Sequence, residues 1–189
     1  MSNLNAAALH QQGVDLFRQD NPEAALEKLK AALEIAPEGS AKAAEICNDL
    51  GVVYRELEDY ESAHQSLDKA MSLFTQLDNA KGQAQTLGNR AALLESQDKL
   101  EEAVEMYKKS AAMFEDLGEN DMAMYVWQAV SRLRTGQGQY IAAIGAYEEG
   151  VSNMPKGSFK RKILEKILKA PGAFLGGAAA PVDPDDDEA

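Results

Sequence analysis

The side chains with the most reactive chemistry in this chain are two histidines, His10 and His64, and one cysteine, Cys47. They lie far apart in sequence, and no HExxH, CxxC, GxSxG or GxxxxGKS/T pattern supplies a metal site, a nucleophile or a phosphate-binding loop. One cysteine has no partner for a disulfide within the chain. The sequence therefore predicts no catalytic residue, no metal site and no cofactor, and we interpret the protein as non-enzymatic.

Charge and hydropathy exclude several further classes. The 189 residues carry 19 Lys and Arg against 31 Asp and Glu, a net charge of −12. Such a chain is repelled on average by a phosphate backbone, so no nucleic-acid partner is expected. No apolar run approaches the ~18 residues that span a bilayer, and the first residues lack the basic and apolar regions of a secretory signal. We therefore expect a cytoplasmic location.

The elements that must position any binding residue are helices, because the sequence repeats itself with helical spacing. Ala25, Ala63, Ala103 and Ala143 lie 38, 40 and 40 residues apart, and each is followed four residues later by a large side chain. An amphipathic segment precedes each of these alanines. These segments carry their own small residues, which let two helices approach closely, at Gly13, Gly51, Ala91 and Ser131.

The pattern predicts an all-α fold of four helical hairpins and a ninth helix. We expect helices at 3–18, 22–36, 41–57, 60–77, 82–97, 100–116, 121–135, 140–154 and 158–170. They form repeats 3–37, 41–77, 82–117 and 121–155 within a domain over residues 1–170. Pro22 suits a first helical position, and Asp59 and Asp98 are expected to cap helices. The Ala/Gly/Pro-rich acidic segment 171–189 is predicted to be disordered.

One copy of the repeat, with Leu50, Gly51 and Tyr54 followed by Ala63 and Leu67, resembles the tetratricopeptide repeat (TPR). The resemblance covers about residues 3–155. It implies a right-handed α-solenoid of four helix-turn-helix repeats with a C-terminal capping helix. The 38–40-residue period exceeds the usual ~34 residues and is similar to the extended repeats of SNAP-type attachment proteins and of many bacterial regulatory repeat proteins.

The resemblance also implies a binding surface, because in the TPR family the first helix of each hairpin lines a concave groove. The side chains expected to face the groove are His10, Gln11, Val14, Phe17, Arg18, Asn48, Asp49, Val52, Arg55, Gln85, Asn89, Glu95, Tyr125, Gln128 and Arg132. Some family members clamp a terminal carboxylate with lysine, asparagine and arginine. Here the clamp positions hold His10, Val14, Asp49 and Gln85, so a chaperone tail is not the expected ligand.

Amides recur on the predicted groove face, at Gln11, Asn48, Asn89 and Gln128. Each amide offers both a donor and an acceptor, as an extended peptide backbone requires. The recurrence resembles the asparagine ladder of some TPR proteins and predicts a peptide or protein partner. The alternative is that these amides are ordinary polar residues on exposed helix faces. The same alternative applies to His10, a lone histidine on an exposed helix face. Trp127 and Cys47 are interpreted as packing residues.

Helix 158–170 has two interpretations. Phe159, Ile163, Leu164, Ile167 and Leu168 form an apolar stripe that we expect to be largely buried as a cap on the solenoid. The same segment, with Lys156, carries a net charge of +5, which is typical of a helix on an anionic membrane surface. The cap is preferred. The alternative functions are a membrane-associated adaptor and a regulatory subunit of an enzyme, and the oligomeric state stays open.

Overall fold

The computed structural model describes residues 2–154 and 157–169, and within these ranges the chain forms helices and no strand. The helices are α1 (Ser2–Arg18), α2 (Pro22–Ile35), α3 (Ala41–Glu56), α4 (Tyr60–Gln76), α5 (Ala80–Ser96), α6 (Leu100–Asp116), α7 (Asn120–Gly136), α8 (Tyr140–Ser152) and α9 (Phe159–Lys169). The all-α prediction is confirmed, with helix ends within two residues of those expected. The segment predicted to be disordered, 171–189, lies outside the described residues.

Consecutive helices pack as four hairpins, α1–α2, α3–α4, α5–α6 and α7–α8, and each hairpin packs against the next. Within a hairpin the helices meet at the small residues that the sequence indicates. A Cβ built on Gly51 would lie 2.5 Å from Leu67 Cγ, and one on Gly13 would lie 2.8 Å from Leu29 Cγ. In the fourth hairpin the Ser131 hydroxyl donates to the Ala143 carbonyl oxygen at 2.8 Å. The predicted register between paired helices is therefore correct.

Seven of the turns between helices share one backbone feature. In each, the residue before the helix N-cap has a positive φ between 49° and 72°, at Asp20, Gly39, Glu58, Asp78, Asp98, Gly118 and Gly138. Asp59 caps α4 as predicted, since its carboxylate accepts from the Ser62 backbone N–H at 3.1 Å. Asp98 was expected to cap α6, and this is wrong. Its φ is 59°, and the N-cap position falls to Lys99, whose side chain cannot accept a bond.

Neighbouring hairpins meet through three residues of each first helix. Counted from the small residue of that helix (Gly13, Gly51, Ala91 or Ser131), they lie five residues before it, one residue before it and two residues after it. In α3 these are Ile46, Leu50 and Val53, all buried. In α7 they are Val126, Val130 and Leu133, also buried. In α5 they are Thr86, Arg90 and Leu93, and Arg90 forms an ion pair with Asp68 of α4. In α1 they are Ala8, Gln12 and Asp15, none of them buried, so the amino-terminal end of the solenoid is largely polar.

Helix α9 is attached to the end of α8 through one arginine. Arg161 Nη1 donates to the carbonyl oxygens of Ser152 at 2.9 Å and Met154 at 2.6 Å, where the end of a helix leaves carbonyl groups without partners. Ile163 remains 43% exposed, so the expectation that the whole apolar stripe is buried is wrong for this residue. The side chains of Phe159, Ile167 and Leu168 lie outside the described set. No helix in the described ranges has the length and apolar character to cross a bilayer.

Candidate functional site

The first helices of the four hairpins line one open groove of about 850 Å³. Ten of the fifteen residues predicted from sequence lie on it, namely His10, Asn48, Asp49, Val52, Arg55, Gln85, Asn89, Tyr125, Gln128 and Arg132. The periodic pattern thus locates the groove face of α3, α5 and α7 well. It locates that of α1 poorly, because α1 contributes only His10.

Four of the five remaining residues lie on α1 and have other surroundings. Gln11 donates to the Asp15 carboxylate at 2.9 Å, and Arg18 pairs with the same carboxylate at 3.5 Å. Phe17 packs against the core between α2 and α3, and Val14 is half-buried. Glu95, the fifth, lies on α5 beside the groove and accepts a hydrogen bond from Arg132, which lines the groove.

Several lining residues were missed because they come from second helices. Tyr107, Ser110 and Phe114 of α6 and Phe74 of α4 are buried beneath the groove, behind the first helices, and Glu45, Gly88, Ala92, Met122, Val126 and Ala129 complete the lining. Gly88 and Ala92 are small, so they leave space over α6. A Cβ on Gly88 would lie 3.3 Å from Ser110 Oγ. Small residues on the groove face of α5 are the sequence signal that could have indicated this contribution.

Asn48 has a different environment from the one expected. Its side chain was predicted to be exposed, yet the residue is only 9% exposed because α5 packs over it. Its Oδ1 accepts from Asn89 Nδ2 at 3.0 Å and lies 3.1 Å from the Thr86 hydroxyl. Asn48 therefore joins α3 to α5 and orients the Asn89 side chain. Asn89 itself is half-buried on the groove wall.

His10 is likewise not the lone exposed histidine that the sequence indicates. Its Nε2 lies 2.6 Å from Asp49 Oδ2, and its side chain is only 13% exposed. The contact joins α1 to α3 at one end of the groove. Since this pairing connects residues 39 positions apart, it follows from the stacking of hairpins rather than from local sequence.

The other side of the groove carries an organised charge cluster. Arg132 Nη1 and Nη2 donate to the two Glu95 carboxylate oxygens at 2.6 and 2.9 Å, and the Tyr107 hydroxyl donates to Glu95 Oε2 at 3.3 Å. The bonds from Arg132 lower the pKa of Glu95, and those bonds raise the pKa of Arg132. Burial, and then the neighbouring Glu95 charge, raises the pKa of Tyr107. A bidentate pair of this kind holds its arginine in a fixed orientation.

The acidic and basic residues of the groove are separated along α3, and Glu45 and Arg55 also form ion pairs with Lys42 and Glu56. Glu45 and Asp49 lie in the first half of α3, and Arg55 lies near its end, about 9–15 Å along the helix axis. Arg55 is close enough to contribute to the low pKa of Glu95, which places the two arginines around one carboxylate. Beside them, Tyr125 is 70% exposed and presents an aromatic ring to the groove.

Comparison with known proteins identifies the repeat type. Residues 40–169 match the family model of the soluble NSF attachment proteins, SNAP. The chain belongs to the SNAP family. A search of curated proteins finds no match to this SNAP-family chain.

Solved structures with the same fold are TPR-like repeat proteins. Aspartyl phosphate phosphatase F from Bacillus subtilis superposes with a TM-score of 0.75 at 18% identity, over 90% of this chain and 45% of the phosphatase. BtubC from P. vanneervenii gives 0.69 at 19% identity, over 97% of this chain and 69% of BtubC. A tetratricopeptide repeat protein from Parabacteroides merdae gives 0.57 at 19% identity, over 90% and 61%. The SNAP-family chain thus spans less than half of the phosphatase, and these identities establish the TPR-like solenoid alone.

A smaller pocket of about 310 Å³ lies on α6, α7 and α8 of this SNAP-family chain. Trp127 lines it, and its indole Nε1 donates to Glu115 Oε1 at 2.7 Å. Asn153 Nδ2 donates to the same oxygen at 2.8 Å. The half-buried Trp127 is therefore held in the packing of α6 against α7 and α8, in agreement with its interpretation from sequence.

Proposed function

We propose that this SNAP-family chain is a non-enzymatic interaction module that binds a peptide or protein segment along the groove. TPR-like folds generally mediate protein–protein interactions. The observation that carries the proposal is the open groove lined by α1, α3, α5 and α7. A segment lying there contacts side chains from all four repeats, and its affinity therefore depends on the whole stack.

The lining supports a ligand with mixed polarity. Gln85, Asn89 and Gln128 offer amide donors and acceptors for a peptide backbone, whereas Asn48 is engaged between α3 and α5. Tyr125 is suited to anchor a ligand side chain, because exposed aromatic rings bury much area at little entropic cost. The ligand carries an acidic group toward Arg55 and Arg132 and a basic group toward Glu45 and Asp49.

Selection from a displayed library of short random peptides tests this proposal. Peptides enriched on the wild-type chain should lose about tenfold or more in affinity on Tyr125→Ala, as expected for an aromatic anchor. Leu117→Ala is the matched control, because Leu117 is exposed at the α6–α7 turn and lies outside the groove lining. Peptides that bind Tyr125→Ala and the wild type equally, or the absence of any enrichment, would contradict binding in the groove.

Exposure of Ile163 favours a second candidate, a membrane-associated adaptor. Lys162 and Lys166 are exposed on the same helix, α9, so cationic and apolar groups are presented together. Sedimentation with phosphatidylserine vesicles tests this function. Binding that is lost on Ile163→Glu and at high salt would support it, and equal recovery from vesicles with and without anionic lipid would contradict it.

A further inference from the structure

The last hairpin leaves an apolar surface on α8. Tyr140, Ile141 and Ile144, which we call the α8 patch, are 65%, 89% and 37% exposed. Relative to the small residue Ala143, Tyr140 lies three residues before, Ile141 two residues before and Ile144 one residue after. Spacing of three and four residues places Tyr140, Ile141 and Ile144 on one face of the helix.

The equivalent positions of earlier hairpins contact the end of the next first helix. In α4 the Tyr60 hydroxyl donates to the Ser96 carbonyl oxygen at 3.3 Å, and His64 Nε2 lies 3.3 Å from Gln97 Oε1. In α6 the Glu101 carboxylate accepts from Arg134 at 2.6 Å and from Gln137 at 2.9 Å. The α8 patch is therefore the surface on which the last turn of a following first helix would lie.

The described part of α9 does not extend over the α8 patch, and in the sequence Pro171 favours an end of the helix close to Lys169. Helix α9 has 11 residues, whereas α3 has 16 and α5 and α7 have 17 each. The shortfall of five or six residues is about 8–9 Å of helix. Arg161 fixes the start of α9 at the end of α8. Because neighbouring helices joined by a short connection run antiparallel, the length that α9 lacks relative to the other first helices lies opposite the beginning of α8. In the sequence, residues 170–189 follow α9.

Sequence register identifies what those residues supply. The second and third repeats, and the third and fourth, are offset by 40 residues. With that offset the ion-paired residues Glu101 and Arg134 correspond to Ile141 and Phe174. Both members of a charged pair are thus replaced by apolar residues. Leu175 follows Phe174 directly, so segment 173–177 has two large apolar residues at sequence positions equivalent to those that make these contacts in the earlier hairpins.

A second copy of the chain stacked end to end fits the patch poorly. By the register of the earlier contacts, the end of its first helix would present Leu16, Arg18 and Gln19. Leu16 is already packed among apolar residues of α2 and α3, and Arg18 is paired with Asp15. Apolar side chains buried against such a face would leave polar groups without partners, which costs free energy. The amino-terminal end therefore offers no complementary surface for Tyr140, Ile141 and Ile144.

We propose that segment 173–177 of the same chain docks on the α8 patch, with Phe174 against Ile141, and completes the end of the solenoid. Phe174 and Leu175 then form an exception within the segment that the sequence predicts to be disordered. Docking covers the apolar surface that the last hairpin otherwise presents to solvent.

A double-mutant cycle on the full chain tests the contact. Phe174→Ala and Ile141→Ala should each lower the denaturation midpoint, and the double variant should show no further shift, because each substitution removes the same contact. Val182→Ala combined with Ile141→Ala is the matched control, and its shifts should add. Additive shifts for Phe174→Ala and Ile141→Ala, or no shift for Phe174→Ala, would overturn the proposal.

Cross-linking in a Cys47→Ala background distinguishes docking of segment 173–177 from binding of a second copy of the chain or of a partner protein. Oxidation of the variant with Ile141→Cys and Phe174→Cys should give a disulfide within one chain, faster than for the control pair with Ile141→Cys and Val182→Cys. A disulfide-linked dimer would assign the patch to a second copy instead. Equal rates for the two pairs, or patch residues that become protected from hydrogen exchange only when a partner protein is added, would also overturn docking by segment 173–177.

Discussion

At the scale of single residues, Gly51 and Gly145 occupy helices in opposite surroundings. A Cβ on Gly51 meets Leu67 at 2.5 Å, whereas one on Gly145 meets nothing within 4 Å. We expect Gly51→Ala to destabilise the protein by about 1–3 kcal/mol, because α3 and α4 must separate. Gly145→Ala should instead stabilise it by about 0.5–1 kcal/mol, since alanine is the better helix former. Chemical denaturation of both variants measures this, and equal effects would contradict the hairpin register.

Glu95 gives a prediction about pH. The bonds from Arg132 lower its pKa in the folded protein, so its contribution to stability is present above the ordinary glutamate pKa of about 4.3 and disappears as the pH falls through the lowered value. Glu95→Gln should therefore be less stable than the wild type at neutral pH, and the difference should vanish in acid. Denaturation midpoints across this range measure it. The exposed control Glu27→Gln should show no such convergence, and a constant difference for Glu95→Gln would contradict the role of the charge.

At the scale of elements, the helix starts differ in their capping. Asn79 caps α5 by accepting from the Gly82 backbone N–H at 2.9 Å, whereas Lys99 leaves α6 without a side-chain cap. Asn79→Ala should cost about 1 kcal/mol, and Lys99→Asn should gain about 0.5–1 kcal/mol. Lys99→Ala is the control and should change little. Thermal denaturation decides, and a Lys99→Asn variant no more stable than Lys99→Ala would show that the turn cannot accommodate the cap.

The helices were predictable because the spacing of their small and large residues reports local geometry. The pairing of Gly51 with Ala63 and Leu67 follows from that spacing alone. The environments of Asn48 and His10 do not, since their partners Asn89 and Asp49 lie about forty residues away on another hairpin. Asp98 was misassigned for a different reason. Aspartate is compatible both with capping and with a positive φ, and only the length of the turn distinguishes the two.

At the scale of the whole molecule, the stack divides at the junction of α4 and α5. One apolar cluster extends from α5 to α8, and others join α1 to α4. The small cluster between these two halves consists of Ala63, Leu67 and Leu93. The junction also carries polar contacts, including the Arg90–Asp68 ion pair and the bonds to Asn48. Cooperativity between the halves therefore depends on few apolar contacts.

Leu93→Ala should expose this division. It removes the α5 member of the junction cluster and should cost about 2–5 kcal/mol while splitting unfolding into two steps. Trp127 fluorescence reports the second half, and circular dichroism reports all helices, so the two transitions should separate. Leu133→Ala is the control, because Leu133 lies inside the α5–α8 cluster. Coincident transitions for Leu93→Ala would show that the halves remain coupled.

The polar face of α1 also determines how the array can be lengthened. A first helix with the interface residues of α7 could be grafted after α8 in place of α9 and the residues that follow it, where Ile141 and Ile144 present an apolar surface. The same graft before α1 would meet Gln12 and Asp15 and would require both to be replaced. The array can therefore be extended by whole hairpins from its carboxyl side, while its amino side acts as a fixed terminus.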